Sequence, residues 1–448
     1  MGLGLLNKKF FITTYGCQMN EHDSEVLAGM LVERGYVQAD SQDDADIMIF
    51  NTCSIRDNAD NRFFGTIGQL KKRKLKNMRE FTICVCGCMM QQEHVVKKLK
   101  EVFPWVDVIF GTHNIHEMPD LLDKYFTRKK RQRSVWDEAG PIVEGLPSER
   151  LFKHKALVNI MYGCNNFCTY CIVPYTRGRE RSRKPEDIVA EVKRLAEDGV
   201  KEIMLLGQNV NSYMGEGTDG EKVDFTDLIY MLNEVEGIER IRFMTSHPKD
   251  LSDKLIQAFV DCSKLPHFIH LPVQAGSSKV LKRMNRRYTR EHYLELVRKV
   301  KAAVPDMAFS TDIIVGFPGE TEEDFEETLS LVKEVEYDSA FTFMYSVRKG
   351  TPAEKFEDHI PRDVMHGRFE KLVDEINKIS AKKNADYVGR IEEVLVDGIS
   401  KTDPDCMCGR TGTFKLVNFK GSEDLTGKTV MMKITDANTF SLVGEIVE

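Results

Sequence analysis

Short apolar runs alternate with longer amphipathic ones through the first 126 residues of the chain. The apolar runs, at 9–14, 47–50, 81–85 and 106–110, have strand length. The runs between and after them, at 24–34, 58–70, 94–103 and 118–126, repeat apolar residues at helical spacing. Strand and helix in alternation predict a doubly wound parallel sheet of the α/β class. In such sheets ligands gather beyond the carboxyl ends of the strands. The pattern resumes with strands at 156–161, 202–206, 240–244, 268–271, 308–315 and 341–345 and helices such as 185–198 and 321–336. About six such units predict a (βα)6-type partial barrel, again with its chemistry at the strand carboxyl ends. Residues 127–155 between the two series are charged and broken by Gly140-Pro141, Gly145 and Pro147, a linker pattern. Residues 361–388 read as a long charged helix, and from Ile391 short Val, Ile, Leu and Thr strands separated by Gly and Asp predict a small β-barrel. The expected domains are therefore 1–127, a linker at 128–150, 151–384 and 385–448.

Composition narrows the classes. A chain of 448 residues, 42% hydrophobic and 30% charged, has room for two or three ordinary domains. No stretch approaches the roughly 20 apolar residues of a membrane span. The opening Met1-Gly-Leu-Gly-Leu-Leu6 is too short for a signal peptide and lacks the Ser or Thr of a myristoylation site, so a cytoplasmic protein is expected. Eleven cysteines, an odd number, are then expected as thiols, some of them metal-bound. A net charge of -7 disfavours nonspecific nucleic-acid binding, yet the basic residues cluster at 71–79, 128–133, 177–184 and 282–290. Each cluster alone reads as a solvated face; together they form a discontinuous track for a polyanion.

The candidate chemistry lies in the cysteines. Cys164, Cys168 and Cys171 stand in Met161-Tyr-Gly-Cys-Asn-Asn-Phe-Cys-Thr-Tyr-Cys171, a C-x3-C-x2-C loop after the first strand of the second series. It supplies three thiolates where a closed structural metal site takes four, and the open position is one where a substrate or cofactor binds. The alternative is a zinc knuckle completed by His154 or His247, but no second cysteine pair stands nearby. In the first series Cys17 follows the first strand, Cys53 the second and Cys88 the third. Cysteines at equivalent edges of one sheet can converge on a point, or be scattered core thiols; spacing alone leaves both open. Cys84, Cys86 and Cys262, within apolar runs, read as core. In Leu205-Leu-Gly-Gln-Asn-Val-Asn211, Gly207 permits close backbone approach and Gln208, Asn209 and Asn211 offer amides, as a cofactor grip or an ordinary turn. Asp312 is polar within an apolar strand, ahead of a turn opened by Gly316 and Gly319, and Gln274 sits at another strand end.

The cysteine loop resembles the signature of radical S-adenosylmethionine (SAM) enzymes. With Asn51-Thr-Cys-Ser-Ile-Arg56, Val173-Pro-Tyr-Thr-Arg-Gly-Arg179, His270-Leu-Pro-Val-Gln274, Thr342-Phe-Met-Tyr-Ser346 and Gly409-Arg-Thr411, nearly the whole chain resembles the methylthiotransferases, most closely their tRNA-modifying branch. The resemblance implies two 4Fe-4S clusters. One, on Cys164, Cys168 and Cys171, would bind SAM at its fourth iron and release a 5′-deoxyadenosyl radical that takes the hydrogen from C2 of an adenine. The other, on Cys17, Cys53 and Cys88, would carry the sulfur that a second SAM methylates. Tyr170 would lie near the SAM adenine, Gln208 and Asn209 would hold its amino-acid moiety, and Asp312 and Gln274 would face the same site. The implied substrate is N6-isopentenyladenosine beside the anticodon, unstacked from its loop. Threonylcarbamoyl-adenosine tRNA and a ribosomal-protein aspartate are the alternatives within the family, and a non-catalytic iron-sulfur RNA sensor is the alternative of another class. The tail resembles the TRAM domain, which would hold the anticodon stem-loop through Arg410, Lys415 and Lys420, with Phe414 or Phe419 stacking on a base unless both belong to the barrel core. An electron donor such as flavodoxin or ferredoxin, and a monomeric state, complete the expectation.

Overall fold

The computed structural model describes residues 8–54, 57–75 and 80–447. The opening Met1 to Leu6, Ile55 and Arg56 of the second-strand motif, and 76–79 of the first basic stretch lie outside the described residues. The N-terminal elements are β1 (Lys9–Thr14), α1 (Gln18–Glu33), β2 (Val37–Gln38), β3 (Ile47–Thr52), α2 (Asp57–Leu75), β4 (Thr82–Gly87), α3 (Glu93–Val102), β5 (Val108–Phe110), α4 (Met118–Arg128) and β6 (Gln132–Ser134). After them come β7 (Lys155–Asn159), β8 (Met161–Tyr162), α5 (Val173–Thr176) and β9 (Arg181–Ser182). The chain divides into two compact units: Met1–Phe152 with Met161–Phe167 and Cys171–Arg183, and Lys153–Ile160 with Cys168–Tyr170 and Lys184–Glu448.

In the first unit the strands pair in the order β2-β1-β3-β4-β5-β6, every pairing parallel. β3 and β4 are buried at every position, as strands covered on both faces must be, which is why their sequences read as continuous apolar runs. One face is covered by α2 and α3 through Phe63, Ile67, Val95 and Leu99. The other is covered by α1 and α4 through Leu27, Leu31, Leu121 and Leu122. The strand order reverses between β1 and β3, so the crevice expected to hold a ligand opens at their carboxyl ends. Two expectations are corrected here. β6 lies inside the stretch read as linker; its polar residues suit a half-exposed edge strand and hide it from an apolar-run search. α1 begins at Gln18 rather than 24, because its first turns are polar and break the apolar period.

The second unit continues with α6 (Pro185–Glu197), β10 (Glu202–Leu206), β11 (Met214–Glu216), β12 (Lys222–Asp224), α7 (Phe225–Asn233), β13 (Arg240–Phe243), α8 (Asp253–Asp261), β14 (Phe268–His270), α9 (Ser278–Arg283), α10 (Arg290–Ala303), β15 (Ala308–Val315), α11 (Glu322–Val335), β16 (Ser339–Met344) and α12 (Arg362–Ala385). Six parallel strands form two three-stranded sheets, β13-β10-β7 and β14-β15-β16, as the (βα)6 pattern predicts. The tail strands β17 (Ile391–Ile399), β18 (Met407–Thr411), β19 (Leu416–Phe419), β20 (Thr429–Ala437) and β21 (Leu442–Ile446) close into a barrel around Val394, Val417, Phe419, Met432 and Ile434. No helix among the described residues is long and apolar enough to cross a membrane.

Candidate functional site

Three cysteines stand at the carboxyl edge of the N-terminal sheet. Cys17 follows β1 as the N-cap of α1. Cys53 follows β3 and Cys88 follows β4, both buried. Gly16 shows how closely they gather: its φ is +121°, and a Cβ placed there would lie 2.4 Å from Cys53 Cβ and 2.7 Å from its Sγ. Gly87, φ +94°, likewise turns the chain into Cys88 with Thr52 O 2.2 Å from where a Cβ would stand. Burial pushes the Cys88 thiol up to about 12; Arg177 pulls it down, and Cys17 and Cys53 push it up again, as neighbouring thiols do. Cys17, Cys53 and Cys88 thus stand near one another along one edge of the sheet. Cys84 and Cys86, two pleats and one pleat earlier on β4, are core residues, with burial first among the causes that raise their thiols.

A polar lattice frames these thiols. The Asn20 amide donates to Tyr15 O at 3.2 Å, Asn51 Oδ1 at 3.1 Å and Thr52 O at 2.8 Å, and its Oδ1 faces the Cys17 thiol at 3.5 Å. Asn51 Nδ2 returns a bond to Asn20 O at 2.9 Å. Arg177, from the segment after α5, donates from Nε to Cys88 Sγ at 3.2 Å and from Nη2 to Asn20 Oδ1 at 3.1 Å and Asp23 Oδ2 at 2.8 Å. Burial alone would lower the Arg177 guanidinium, but Asp23, Cys88 and Cys17 hold it well above its ordinary value, so it is a permanent cation. Three thiols at a crevice, a glycine cradle with no room for a side chain, and a buried cation form a donor set suited to an iron-sulfur cluster with one open iron.

The second cysteine loop is tightly held. Cys164 follows Gly163, φ +77°, whose added Cβ would fall 2.0 Å from Arg179 O, and the Cys164 amide donates to Gly178 O at 3.1 Å. Within the second unit, Thr169 is bonded through its amide to Met284 O at 3.0 Å, its hydroxyl to Arg283 O at 3.0 Å and its carbonyl to the Ala353 amide at 2.9 Å. Arg286 is buried, with Nη1 3.5 Å from Cys168 Sγ, Nε on Tyr288 Oη at 2.9 Å and Nη2 on Pro272 O at 2.9 Å. Tyr170 meets Phe317, just after β15, edge to face at 6.4 Å. The zinc alternative loses a ligand, since His247 Nδ1 accepts the Lys249 amide at 3.2 Å; burial, then Arg286 and Lys249, lower this imidazole to about 2. Among the described residues no group of three or more His, Cys, Asp or Glu side chains closes to the spacing of a single metal ion.

The other predicted residues separate into two groups. Asn209 follows β10; its Nδ2 donates to Asp250 Oδ2 at 2.7 Å, while its Oδ1 is buried with no hydrogen-bond partner among the described residues. Asn211 is spent on the His247 backbone, at 3.0 and 2.9 Å, and is structural. Gln208 is half-buried beside Asn209. Gln274, at φ +72°, forms an isolated bridge to Ile313, donating its amide to Asp312 O at 2.9 Å, so Gln274 and Asp312 stand together. Asp312 Oδ1 lies 3.5 Å from His270 Nε2, and His270 Nδ1 shares a 2.7 Å hydrogen bond with Ser310 Oγ.

Two expectations for the basic residues are corrected. In the tail, Lys415 is buried and paired with Asp338 at 2.8 Å, Phe419 is barrel core, and Phe414 packs on Phe268 at 5.0 Å beneath the Arg242 and Arg410 guanidiniums. These side chains join the tail barrel to the strands of its own unit and leave Lys420 as the exposed member of the expected RNA set. The basic stretches at 177–184 and 282–290 are also partly spent internally, on Asp23, Glu144 and Pro272. Sequence reasoning gave Asn20, Asp23, Arg177 and the three glycines no place beside a cysteine. A signal was present in the repeated Gly-Cys step at Cys17, Cys88 and Cys164 and in the polar first turns of α1.

Comparison with known proteins agrees with this architecture. The Radical SAM superfamily profile matches residues 158–332, an uncharacterized protein family, UPF0004, matches 9–111, and the TRAM domain matches 385–447. A tRNA-2-methylthio-N(6)-dimethylallyladenosine synthase of Clostridium botulinum (strain Loch Maree / Type A3) is 58% identical over 438 residues, covering 98% of this chain and 96% of its own. One of Clostridium perfringens (strain ATCC 13124) is 56% identical over 444 residues, covering 99% of each. Among solved structures, the radical S-adenosylmethionine methyltransferase TsrM from Kitasatospora setae aligns with a TM-score of 0.55 at 11% identity, over 78% of this chain and 74% of that one. The cobalamin-dependent S-adenosylmethionine radical enzyme OxsB aligns at 0.51 and 13%, over 84% and 58%. At such identities the structural likeness is one of fold.

Proposed function

The chain belongs to the tRNA-2-methylthio-N(6)-dimethylallyladenosine synthase family of radical SAM methylthiotransferases, and from that membership we propose that it inserts sulfur and a methyl group at C2 of N6-isopentenyladenosine next to the anticodon. The single observation that carries the reading is relatedness to these synthases over nearly the full length of a chain that has a C-x3-C-x2-C loop and a cysteine after each of β1, β3 and β4. Cys164, Cys168 and Cys171 would hold the cluster that engages SAM; Cys17, Cys53 and Cys88 would hold the second. When bound, clusters and SAM supply one-electron cleavage of SAM, the inserted sulfur and the methyl group. The protein holds and orients them. Gly16, Gly87 and Gly163 let backbone approach where a side chain would collide, Thr169 fixes the SAM-side loop, and Arg177 and Arg286 each place a buried cation against a cysteine sulfur.

For SAM itself, Asn209 Oδ1 offers a buried acceptor to the ammonium group. Gln208 stands beside it, Asp312 with Gln274 is suited to the ribose hydroxyls, and Tyr170 to the adenine edge. The reading carries with it a flavodoxin- or ferredoxin-like electron donor, a monomeric chain, and a cytoplasmic location where tRNA is found. In this reading the N-terminal sheet forms a cluster domain, the (βα)6 unit a radical SAM barrel and the tail a TRAM barrel. Anaerobic reconstitution followed by mass spectrometry of nucleosides from treated tRNA tests it. A 2-methylthio derivative of isopentenyladenosine is expected; thiolation of threonylcarbamoyl-adenosine or of a ribosomal-protein aspartate in place of it would overturn the substrate, and SAM cleavage without any thiolated product would overturn the reaction.

A further inference from the structure

Arg177 reaches the carboxyl edge of the N-terminal sheet from Cys171–Arg183, a segment distant in sequence that folds with that unit. Its side chain and that of Asp23 are only 6% exposed. A buried ion pair adds little stability over an apolar pair of similar volume, so packing alone does not explain it. The geometry does more than neutralise Asp23. Nε is aimed at Cys88 Sγ, 3.2 Å away, while Nη2 is held by Asp23 and Asn20, so the guanidinium stands between the thiol edge and a carboxylate.

A cluster gains negative charge on reduction, and in a dry site a fixed cation beside a sulfur ligand stabilises the reduced form; hydrogen bonds to the sulfurs and local charge set such potentials. A carboxylate behind the cation weakens that field. Resting on the ligand assignment proposed above, we propose that Arg177 and Asp23 form a charge pair that sets the reduction potential of the cluster on Cys17, Cys53 and Cys88, Arg177 raising it and Asp23 restraining the rise. Arg177 is a positioning residue here: it acts through Cys88 and touches no substrate atom.

The test is a redox titration, followed by electron paramagnetic resonance, of the full chain with Cys164, Cys168 and Cys171 replaced by Ala and the remaining cluster reconstituted anaerobically. R177Q is expected to shift the midpoint potential negative, R177K to shift it negative by less, and D23N to shift it positive. Damage to packing moves both sites the same way; opposite signs belong to charge. An unchanged potential in R177Q, or shifts of one sign in R177Q and D23N, overturns the proposal. Should R177Q take up no iron, D23N and R177K decide: a rise in D23N with a fall in R177K supports it, and a D23N potential at or below the parent's overturns it. A parent that takes up no iron overturns the ligand assignment itself, and this proposal with it.

Discussion

Cys17, Cys88 and Cys164, three of the candidate ligands, are each preceded by a glycine in the left-handed region, at Gly16, Gly87 and Gly163. At these places a Cβ meets a cysteine side chain or a carbonyl oxygen at 2.0–2.4 Å, so the absence of a side chain is what lets the thiol reach its position. Gly16→Ala is therefore expected to destabilise the N-terminal unit by about 1–3 kcal/mol. It should also lose the iron held by Cys17, Cys53 and Cys88 while keeping the cluster on the other loop, as measured by iron content and Mössbauer spectroscopy. Asn209 gives a second residue-scale prediction. Asn209→Ala removes the buried acceptor, and SAM affinity measured calorimetrically should fall about tenfold, or about 1.4 kcal/mol, with a small change in melting temperature. The thiols themselves were legible from their place after apolar runs. Arg177 was not, because nothing in its local sequence shows that it is buried against Asp23 and Cys88.

At the scale of elements, Glu202 on β10 ties together the first sheet of the second unit. It pairs with Lys155 on β7 at 3.2 Å and Arg242 on β13 at 2.7 Å. Its burial would raise the carboxyl, but Arg242 and Lys155 outweigh it and hold the group at about 2. A depressed carboxyl contributes stability that is present above its unfolded value near 4.5 and lost as pH falls toward 2. The loss across that window is about 3 kcal/mol, and it should be missing from the acid-denaturation curve of Glu202→Gln. The variant should already be less stable at neutral pH, by about 3–5 kcal/mol, because Arg242 is left buried with its charge unanswered. Helix and strand alternation made these strands legible, since each is short and set between helical runs. β6 and the start of α1 were not legible, since both are polar where they meet solvent or the candidate site.

For the molecule as a whole, the tail barrel is joined to its unit by charge as well as by packing. Asp338 receives Lys415 from the tail and Lys383 from α12, both at 2.8 Å, and the Arg240 guanidinium donates to Arg410 O at 3.0 Å. Lys415→Ala should therefore lower the melting temperature of the full chain while leaving tRNA affinity near that of the parent. Lys420→Ala, at an exposed position, should weaken tRNA binding and reduce its salt dependence. Paired melting and filter-binding measurements separate the two.

Periodicity and turn residues were enough, within the sequence alone, to establish the α/β class and the order of sheet, (βα)6 unit and tail barrel, and the C-x3-C-x2-C spacing to single out the loop at 164–171. They are local properties, written within one or two elements. Only the tertiary structure decided that Cys17, Cys53 and Cys88 share one edge of the sheet, that Arg177 joins Cys88 to Asp23, and that Lys415 faces Asp338. Those facts depend on strand order and on which distant segment fills a crevice, which follow from burying both faces of the sheet at once and from no single stretch of chain.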